Sequence, residues 1–238
     1  MMIQQTIEKL RSLRLSGMAD ALARQLETGN SSELTFEERL SLLVDQEWTL
    51  RLERRTNRRI KQAQLRADAA FEDIDLKTPR GFDREKILEL GHCRWIQAGR
   101  NLILTGPTGI GKTWIACALG NKACRLGMTA HYVRVPRLLE ILKIARGDGT
   151  YLKTLEKLMK YDLLILDDWG LSRYRGEMQN ALLEVLDDRV GRRSVLVTTQ
   201  LPVKKWHDLF DEPTVADAIL DRLLGPSIQI KMKGDSLR

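Results

Sequence analysis

Eight consecutive residues, Gly106 to Thr113, match the phosphate-binding pattern G-x-x-x-x-G-K-T. An apolar stretch typical of a buried strand precedes them, and a helical stretch that Gly127 closes follows them. In this context the backbone N–H groups of the loop and the helix N-terminus surround phosphate groups. We expect Lys112 to reach the β- and γ-phosphates and the Thr113 hydroxyl to bind Mg²⁺. The predicted nucleotide-binding residues are Gly106, Pro107, Thr108, Gly109, Ile110, Gly111, Lys112, Thr113 and Trp114.

A second motif follows about fifty residues later, where four apolar residues lead into Asp167 and Asp168. Continuous apolar runs are typical of strands buried on both faces of a parallel sheet, and ligands bind beyond the carboxyl ends of such strands. Asp167 is predicted to hold Mg²⁺, through water, and Asp168 to orient the attacking water. With the phosphate-binding loop upstream, the two motifs predict ATP and Mg²⁺ as cofactors and phosphoryl chemistry as the reaction.

The bulk composition favours an intracellular enzyme. The chain has 238 residues, no charged and apolar leader segment and no apolar run of about 18 residues, so we expect a cytoplasmic protein without a membrane partner. Its three cysteines form no C-x-x-C pair and its three histidines are scattered, so no zinc site is predicted. Cys117 and Cys124 lie seven residues apart on the helix after the loop, which favours core packing.

The chain has a net charge of +7, and within its first 75 residues, whose net charge is −1, the basic residues are concentrated in one block. Residues 51–66 contain seven basic residues and one acid, Glu53, and the helical spacing places the arginines along one flank. Such a stripe indicates a polyanionic partner, DNA or RNA before membrane, although a solvated helix face is the ordinary alternative. The basic residues of the block are Arg51, Arg54, Arg55, Arg58, Arg59, Lys61 and Arg66, of which the first five are the predicted DNA contacts.

The periodicity divides the chain into an all-α region, residues 1–70, and an α/β region, residues 71–238. The first region shows helical spacing over residues 2–28 with a break at Gly17, a turn at residues 28–32, a capping box of Thr35 and Glu38, and a helix from Phe36 to about Ala70. The linker is placed at residues 71–81. Alternating strands and helices then predict a parallel sheet with helices on both faces, its strands at residues 101–105, 130–135, 162–167, 194–199 and 227–230.

Segments spread along most of the chain resemble the IstB-type helper ATPases of bacterial insertion sequences, relatives of the DnaC-type helicase loaders within the AAA+ ATPases. The segments are residues 13–22, 71–75, 79–83, the two phosphate motifs with Asp168-Trp-Gly170, and residues 197–202, 218–223 and 233–238. The resemblance implies an AAA+ module with a five-stranded sheet of order 5-1-4-3-2, an all-α N-terminal domain and no separate C-terminal lid. It also implies a homo-oligomer with ATP sites at subunit interfaces, which assembles on double-stranded DNA and delivers it to a partner transposase.

The family's roles transfer to matching positions. Gln200 matches the polar residue that orients the lytic water, and Arg222 matches an arginine finger that enters the neighbouring subunit's site. The alternatives are local hydrogen bonds for Gln200 and an ion pair with Asp217 or Asp221 for Arg222. Arg238 is a candidate phosphate sensor, and the adenine base is expected near Phe82 and Asp83. A second DNA surface is expected between the second and third strands, with contacts from Lys143, Arg146 and Lys153.

One position departs from the family pattern, because AAA+ enzymes usually have Glu where this chain has Asp168. The shorter carboxylate predicts slow hydrolysis that DNA, a neighbouring subunit or a partner stimulates. The sequence therefore predicts a DNA-stimulated ATPase that assembles on target DNA for transposition and disassembles on hydrolysis. The alternatives are a DnaC-like helicase loader, a non-catalytic scaffold that uses ATP only to assemble, and, more distantly, a small-molecule kinase.

Overall fold

A computed structural model of the chain describes residues 2–27, 34–76, 81, 83–225, 227–234 and 236. The predicted turn at residues 28–32, Phe82 and Arg238 lie outside the described residues. Contacts divide the chain into two compact units, Met1–Arg58 and Arg59–Arg238. Residues 59–70, which the periodicity assigns to the all-α region, make their contacts within the second unit.

Helices build the first unit. They are α1 (Met2–Ser12), α2 (Ser16–Glu27) and the first part of α3 (Phe36–Ala63). The predicted break at Gly17 is wrong, because the chain turns at residues 13–15, where Arg14 has a φ of 60°. The predicted capping box is confirmed: the Thr35 N–H donates to the Glu38 carboxylate at 2.8 Å, and the Glu38 N–H donates to the Thr35 hydroxyl at 3.3 Å.

Gly17 lies inside α2 for a packing reason. Its position allows the backbone of α3 to approach so closely that a Cβ on Gly17 would lie 2.7 Å from the Glu47 Cα. The buried Glu47 carboxylate accepts hydrogen bonds from the N–H groups of Gly17, at 2.7 Å, and Met18, at 3.3 Å, and so caps the N-terminus of α2. Burial alone would raise the pKa of Glu47, but these bonds and the Arg51 guanidinium lower it overall.

The described residues of the second unit contain a parallel five-stranded sheet with the order β2-β3-β4-β1-β5, which is the expected order 5-1-4-3-2 read from the other edge. The predicted parallel sheet and its strand order are confirmed. The elements are α4 (Arg84–Gly91), α5 (Arg94–Gln97), β1 (Asn101–Thr105), α6 (Lys112–Arg125), β2 (Ala130–Arg134), α7 (Val135–Gly147), α8 (Tyr151–Met159), β3 (Leu163–Trp169), α9 (Glu177–Asp187), β4 (Ser194–Thr199), α10 (Pro213–Leu224) and β5 (Ser227–Lys231).

Alternation along the strands separates two apolar cores. In β3, Leu163 and Ile165 face the core that contains α6, whereas Leu164 and Leu166 face the core that contains α7, α9 and α10. Successive side chains of a strand point to opposite faces, so both faces of this sheet are covered by helices and its strands are apolar throughout. Cys117 and Cys124 are buried in the first core, as expected.

The helix predicted to reach Ala70 ends earlier, at Ala63. Gln64 takes a left-handed φ of 53°, and the chain after it leaves the helical direction. Leu65 packs against Gly120 of α6, and Phe71 begins a short 3₁₀ turn that lies against Gly91. Apolar side chains of residues 65–76 therefore pack in the α/β core, where the sequence predicts a continued helix and a linker.

No helix among the described residues is long and apolar enough to cross a membrane.

The packing of α2 on α3 predicts the effect of a single methyl group. In Gly17→Ala the new Cβ meets backbone atoms, which cannot move aside as a flexible side chain would, so we expect a loss of about 1–3 kcal/mol in the free energy of unfolding. Urea denaturation followed by circular dichroism measures it. The matched control is Gly147→Ala, where no atom lies within 4 Å of the added Cβ. Equal stability of the two variants would contradict the close approach.

Candidate functional site

The phosphate-binding loop joins β1 to α6, and two of its glycines have left-handed backbones. Gly109 has a φ of 83° and Gly111 a φ of 92°, values that side-chain-bearing residues rarely adopt. This conformation leads directly into the N-terminus of α6, whose first N–H groups have no partner in the helix. Backbone donors and the positive end of the helix dipole therefore converge on the loop, an arrangement that binds phosphate.

Lys112 is the first residue of α6 and lies over the loop. Its ammonium group donates to the carbonyl oxygens of Gly106 and Pro107, both at 2.7 Å. Burial lowers the pKa of Lys112, while the charges of Asp167 and Asp168 act in the opposite direction. Because its two hydrogen-bond acceptors are uncharged, the ammonium charge is available to a phosphate group.

The segment that follows β5 lies against the same loop. The Met232 N–H donates to the Thr105 carbonyl at 2.7 Å, so this segment continues alongside the end of β1. Ser236 lies where a side chain on Gly109 would extend. The loop glycines thus accommodate this segment as well as the backbone turn.

Asp167 is buried, and its carboxylate is surrounded by hydroxyl groups from three elements. The Thr113 hydroxyl donates at 2.9 Å from α6, and the Tyr132 hydroxyl donates at 2.5 Å from β2. The Thr198 hydroxyl donates from β4. Burial raises the pKa of Tyr132, and its hydrogen bond to Asp167 raises it further, so Tyr132 remains a proton donor. The predicted metal residues Thr113 and Asp167 are therefore adjacent, and they present the oxygen ligands that Mg²⁺ prefers.

Asp168 has an unusual backbone conformation. Its φ of 60° is left-handed, and the pairing between β3 and β4 shifts register between Leu166 and Trp169. Left-handed conformations cost energy and cluster at functional sites, although Asp tolerates them better than most residues. The Asp168 carboxylate accepts a hydrogen bond from the Arg134 guanidinium at 2.5 Å, so the carboxylate predicted to orient water is held by an arginine from the end of β2.

A pocket of about 680 Å³ gathers most of the predicted residues. Its volume is within the range of about 300–1,000 Å³ that is usual for small-molecule sites. Gln200, which directly follows β4, is at the surface of this pocket, but Arg222 is not among the lining residues. The lining residues are Arg66, Ala67, Thr108, Gly109, Gly111, Lys112, Thr113, Trp114, Asp167, Asp168, Trp169, Gly170, Leu171, Thr198, Thr199, Gln200 and Leu201.

Arg66 is the least expected member of the pocket. The sequence interpretation that places it in the arginine stripe of a helix is wrong, since α3 ends three residues earlier. Its guanidinium lies 3.7 Å from the Asp167 carboxylate and hydrogen-bonds the Tyr132 hydroxyl. Tyr132 and Thr198 were also missed as site residues. The one available signal was the polar Val197-Thr-Thr-Gln200 end of β4, next to the strand that carries Asp167.

Arg222 lies on α10 and pairs with a different carboxylate from either one that the sequence suggests. Its guanidinium donates to Asp187 on α9 at 2.6 Å and to the Ala218 carbonyl at 2.9 Å. The side chain is partly exposed, at 28% of its full accessibility. Within this subunit Arg222 therefore serves an interhelical ion pair and not the nucleotide pocket.

The candidate DNA-binding residues differ in their surroundings. Arg51 donates to Glu47 at 2.6 Å and to the Arg14 carbonyl at 3.3 Å, so it already has partners inside the first unit. Arg146 lies over the Tyr151 ring and pairs with Glu184 at 3.2 Å. The other candidates on the helices are exposed or partly exposed, namely Arg54, Arg55, Arg58, Arg59, Lys143 and Lys153.

Comparison with known proteins gives one consistent result. A family model described as IstB-like ATP binding protein matches residues 8–238. An insertion sequence ATP-binding protein of Sinorhizobium fredii is 45% identical over 238 residues, which is 100% of this chain and 97% of that protein. The ATP-binding protein of the insertion sequence IS1162 from Pseudomonas fluorescens is 51% identical over 203 residues, covering 85% of this chain and 88% of that protein.

Among solved structures, the crystal structure of DnaI matches with a TM-score of 0.59 and 23% sequence identity. The match covers 70% of this chain and 92% of that one. At this level of identity the likeness concerns the fold alone.

Proposed function

Because this chain belongs to the family of IstB-like ATP binding proteins, we propose that it is an ATP-hydrolysing switch that assembles on double-stranded DNA and assists a partner transposase. The observation that carries the proposal is the pocket itself, in which the phosphate-binding loop, Lys112 and the carboxylates of Asp167 and Asp168 face one space. The names of the relatives, which are ATP-binding proteins of insertion sequences, support a place in transposition.

The pocket residues divide the chemistry of ATP hydrolysis between them. The loop N–H groups and Lys112 bind phosphate oxygens, and Thr113 and Asp167 would hold Mg²⁺, which would neutralise phosphate charge. Asp168 and Gln200 orient the water that attacks the γ-phosphorus, and the Asp168 carboxylate accepts the proton that this water loses. The bond from that phosphorus to the bridging oxygen then breaks, and ADP and phosphate leave. Catalysis here consists of positioning and charge stabilisation.

Asp168 has two features that favour slow basal turnover. It is one methylene shorter than Glu, and Arg134 holds its carboxylate at 2.5 Å. A carboxylate engaged by a guanidinium is a poorer hydrogen-bond acceptor for water than a free one. ATP-bound protein therefore has time to assemble on DNA before hydrolysis releases it.

Asp168→Asn tests this role. The amide keeps the size of the side chain and tolerates the left-handed backbone, but it cannot accept a proton, so we expect turnover to fall by about 10²–10⁴-fold. ATP binding should persist, and the ATP-bound assembly should remain on DNA. Phosphate release and DNA retention measure the two effects, with Asp217→Asn, an exposed carboxylate on α10, as control. Unchanged turnover in Asp168→Asn would exclude the role.

We further propose that Arg222 acts in the site of a neighbouring subunit. Its absence from the lining of its own pocket and its partial exposure support this proposal. A guanidinium supplied in this way is worth about 10³–10⁵ in rate in related chemistry. The ion pair with Asp187 then holds the arginine until a neighbour arrives.

Mixing two inactive variants tests the proposal. Lys112→Ala lacks a working pocket but has Arg222, whereas Arg222→Ala lacks the arginine but has the pocket. In mixed assemblies some interfaces combine an intact pocket with an intact arginine, so we expect the mixture to regain turnover that neither variant shows alone. Asp187→Ala is the control for the ion pair and should keep turnover. If the mixture stays inactive and Asp187→Ala is also inactive, Arg222 has only a structural role.

The exposed basic residues of α3 are the proposed DNA surface of the first unit. Arg54, Arg55 and Arg58 lie on α3 within a stretch where Glu53 is the one acid, and all three are exposed. Arg51 is a weaker candidate, because Glu47 and the Arg14 carbonyl already bind it. On α7 and α8, Lys143 and Lys153 form the proposed second surface.

Salt dependence distinguishes DNA contacts from a solvated helix face. Each phosphate contact contributes a slope of about −0.9 to log K against log salt on duplex DNA. Replacing Arg54, Arg55 and Arg58 by Gln should therefore make the slope shallower by about 2.7. Fluorescence anisotropy with duplex and single-stranded DNA measures it, and Arg51→Gln is the matched control with little expected change. An unchanged slope would assign the stripe to solvent or to protein, and preference for single strands would favour a helicase loader.

A further inference from the structure

Arg66 is a second cation in the pocket, in addition to Lys112, and it lies outside both sequence motifs. Arg66 follows α3 and directly precedes Ala67. The backbones of Arg66 and Ala67 hydrogen-bond the thiol of Cys117, which lies on α6 one turn after Thr113. The segment that contains Arg66 is thereby attached to the helix that begins the phosphate site. The guanidinium lies 3.7 Å from Asp167 and hydrogen-bonds the Tyr132 hydroxyl, which itself donates to Asp167.

Asp167 does not need Arg66 for its own solvation. Its two carboxylate oxygens already accept hydrogen bonds from the hydroxyls of Thr113, Tyr132 and Thr198. At 3.7 Å the guanidinium is beyond ordinary hydrogen-bond length, and its side chain is 51% exposed while that of Asp167 is 1% exposed. At this distance the pair lacks a direct hydrogen bond, and the exposed part of the guanidinium remains hydrated. The position of Arg66 is therefore better explained by a ligand of the pocket than by the fold.

We propose that Arg66 binds the terminal phosphate of ATP within its own subunit. This inference rests on the proposed function, because it needs ATP in the pocket. Arginine is suited to the role, since its planar guanidinium forms two parallel hydrogen bonds with phosphate oxygens. ADP lacks the group that Arg66 contacts, so Arg66 distinguishes the two nucleotides.

Charge explains how the guanidinium leaves Asp167. The pocket holds two carboxylates, and each has an arginine: Arg134 with Asp168 and Arg66 with Asp167. With Mg²⁺ held at Thr113 and Asp167, the nearby guanidinium would be repelled from Asp167 and attracted to the phosphate that enters with the ion. Arg66 is long, half exposed and bound on one side by a neutral hydroxyl, so it can change partner without unfolding its segment.

Nucleotide binding by Arg66→Ala and Arg66→Lys tests the proposal. Calorimetry on the full chain would give Kd for ADP and for non-hydrolysable β,γ-methylene-ATP, each with Mg²⁺ and with EDTA, beside the melting temperature without nucleotide. The control is Arg94→Ala, an exposed arginine on α5 outside the pocket. In Mg²⁺ we expect Arg66→Ala to bind the ATP analogue about tenfold more weakly and ADP less than about threefold more weakly. Arg66→Lys should be intermediate, and the ATP-specific loss should shrink in EDTA.

Each other outcome overturns the inference in a distinct way. Equal weakening of both nucleotides with a lower melting temperature would make Arg66 structural. Tighter Mg²⁺-dependent binding in Arg66→Ala would make it a competitor of Mg²⁺ for Asp167. Unchanged affinities would remove it from the site. Failure of the unsubstituted protein to bind either nucleotide would reject the proposed function itself, independently of Arg66.

Discussion

The burial of the Asp167 carboxylate is the constraint on which the rest of the site depends. A charged group taken out of water is costly unless other groups hydrogen-bond it. Here the hydroxyls of Thr113, Tyr132 and Thr198 do so, and they come from α6, β2 and β4. The Asp167 carboxylate therefore connects the first turn of α6 to β2 and β4, the two strands that flank β3. The three hydrogen-bond donors fix the Asp167 oxygens, which are proposed to hold Mg²⁺, before a ligand arrives, and such preorganisation lowers the reorganisation that catalysis needs.

The strand order brings the three hydroxyl donors together around Asp167. With β4 between β1 and β3, the phosphate loop and the acidic end of β3 lie on either side of the Thr198–Gln200 segment. All three strands are parallel, so their carboxyl ends meet at one edge of the sheet. Leu164 and Leu166 of β3 and Val197 of β4 point to one face of the sheet, where they pack in the core that contains α9 and α10. The carboxyl ends of β3 and β4 thus position the site residues, while the apolar residues before those ends stabilise the second unit.

Local motifs predicted the parts of the site that are contiguous in sequence, and missed those that depend on register between distant strands. The phosphate loop and Asp167 were identified because their spacing alone carries the chemistry. Tyr132 and Thr198 have no such spacing, since their function arises only when β2 and β4 flank β3. The end of α3 was misplaced for another reason: Leu65, Arg66 and Ala67 are good helix formers. Packing of Leu65 on Gly120 overrides that propensity and turns Arg66 toward the pocket.

The site contains two arginine–carboxylate pairs, Arg134 with Asp168 and Arg66 with Asp167. Each of the two adjacent carboxylates therefore has an arginine nearby. The pairs differ in strength, because Arg134 donates at 2.5 Å whereas Arg66 lies at 3.7 Å. A nucleotide with Mg²⁺ should therefore displace the weaker pair first and leave the stronger one intact. On the proposed roles, binding and hydrolysis are separated: Arg66 would respond to ATP, while Asp168 would stay restrained until a second event, on DNA or at a subunit interface, released it from Arg134.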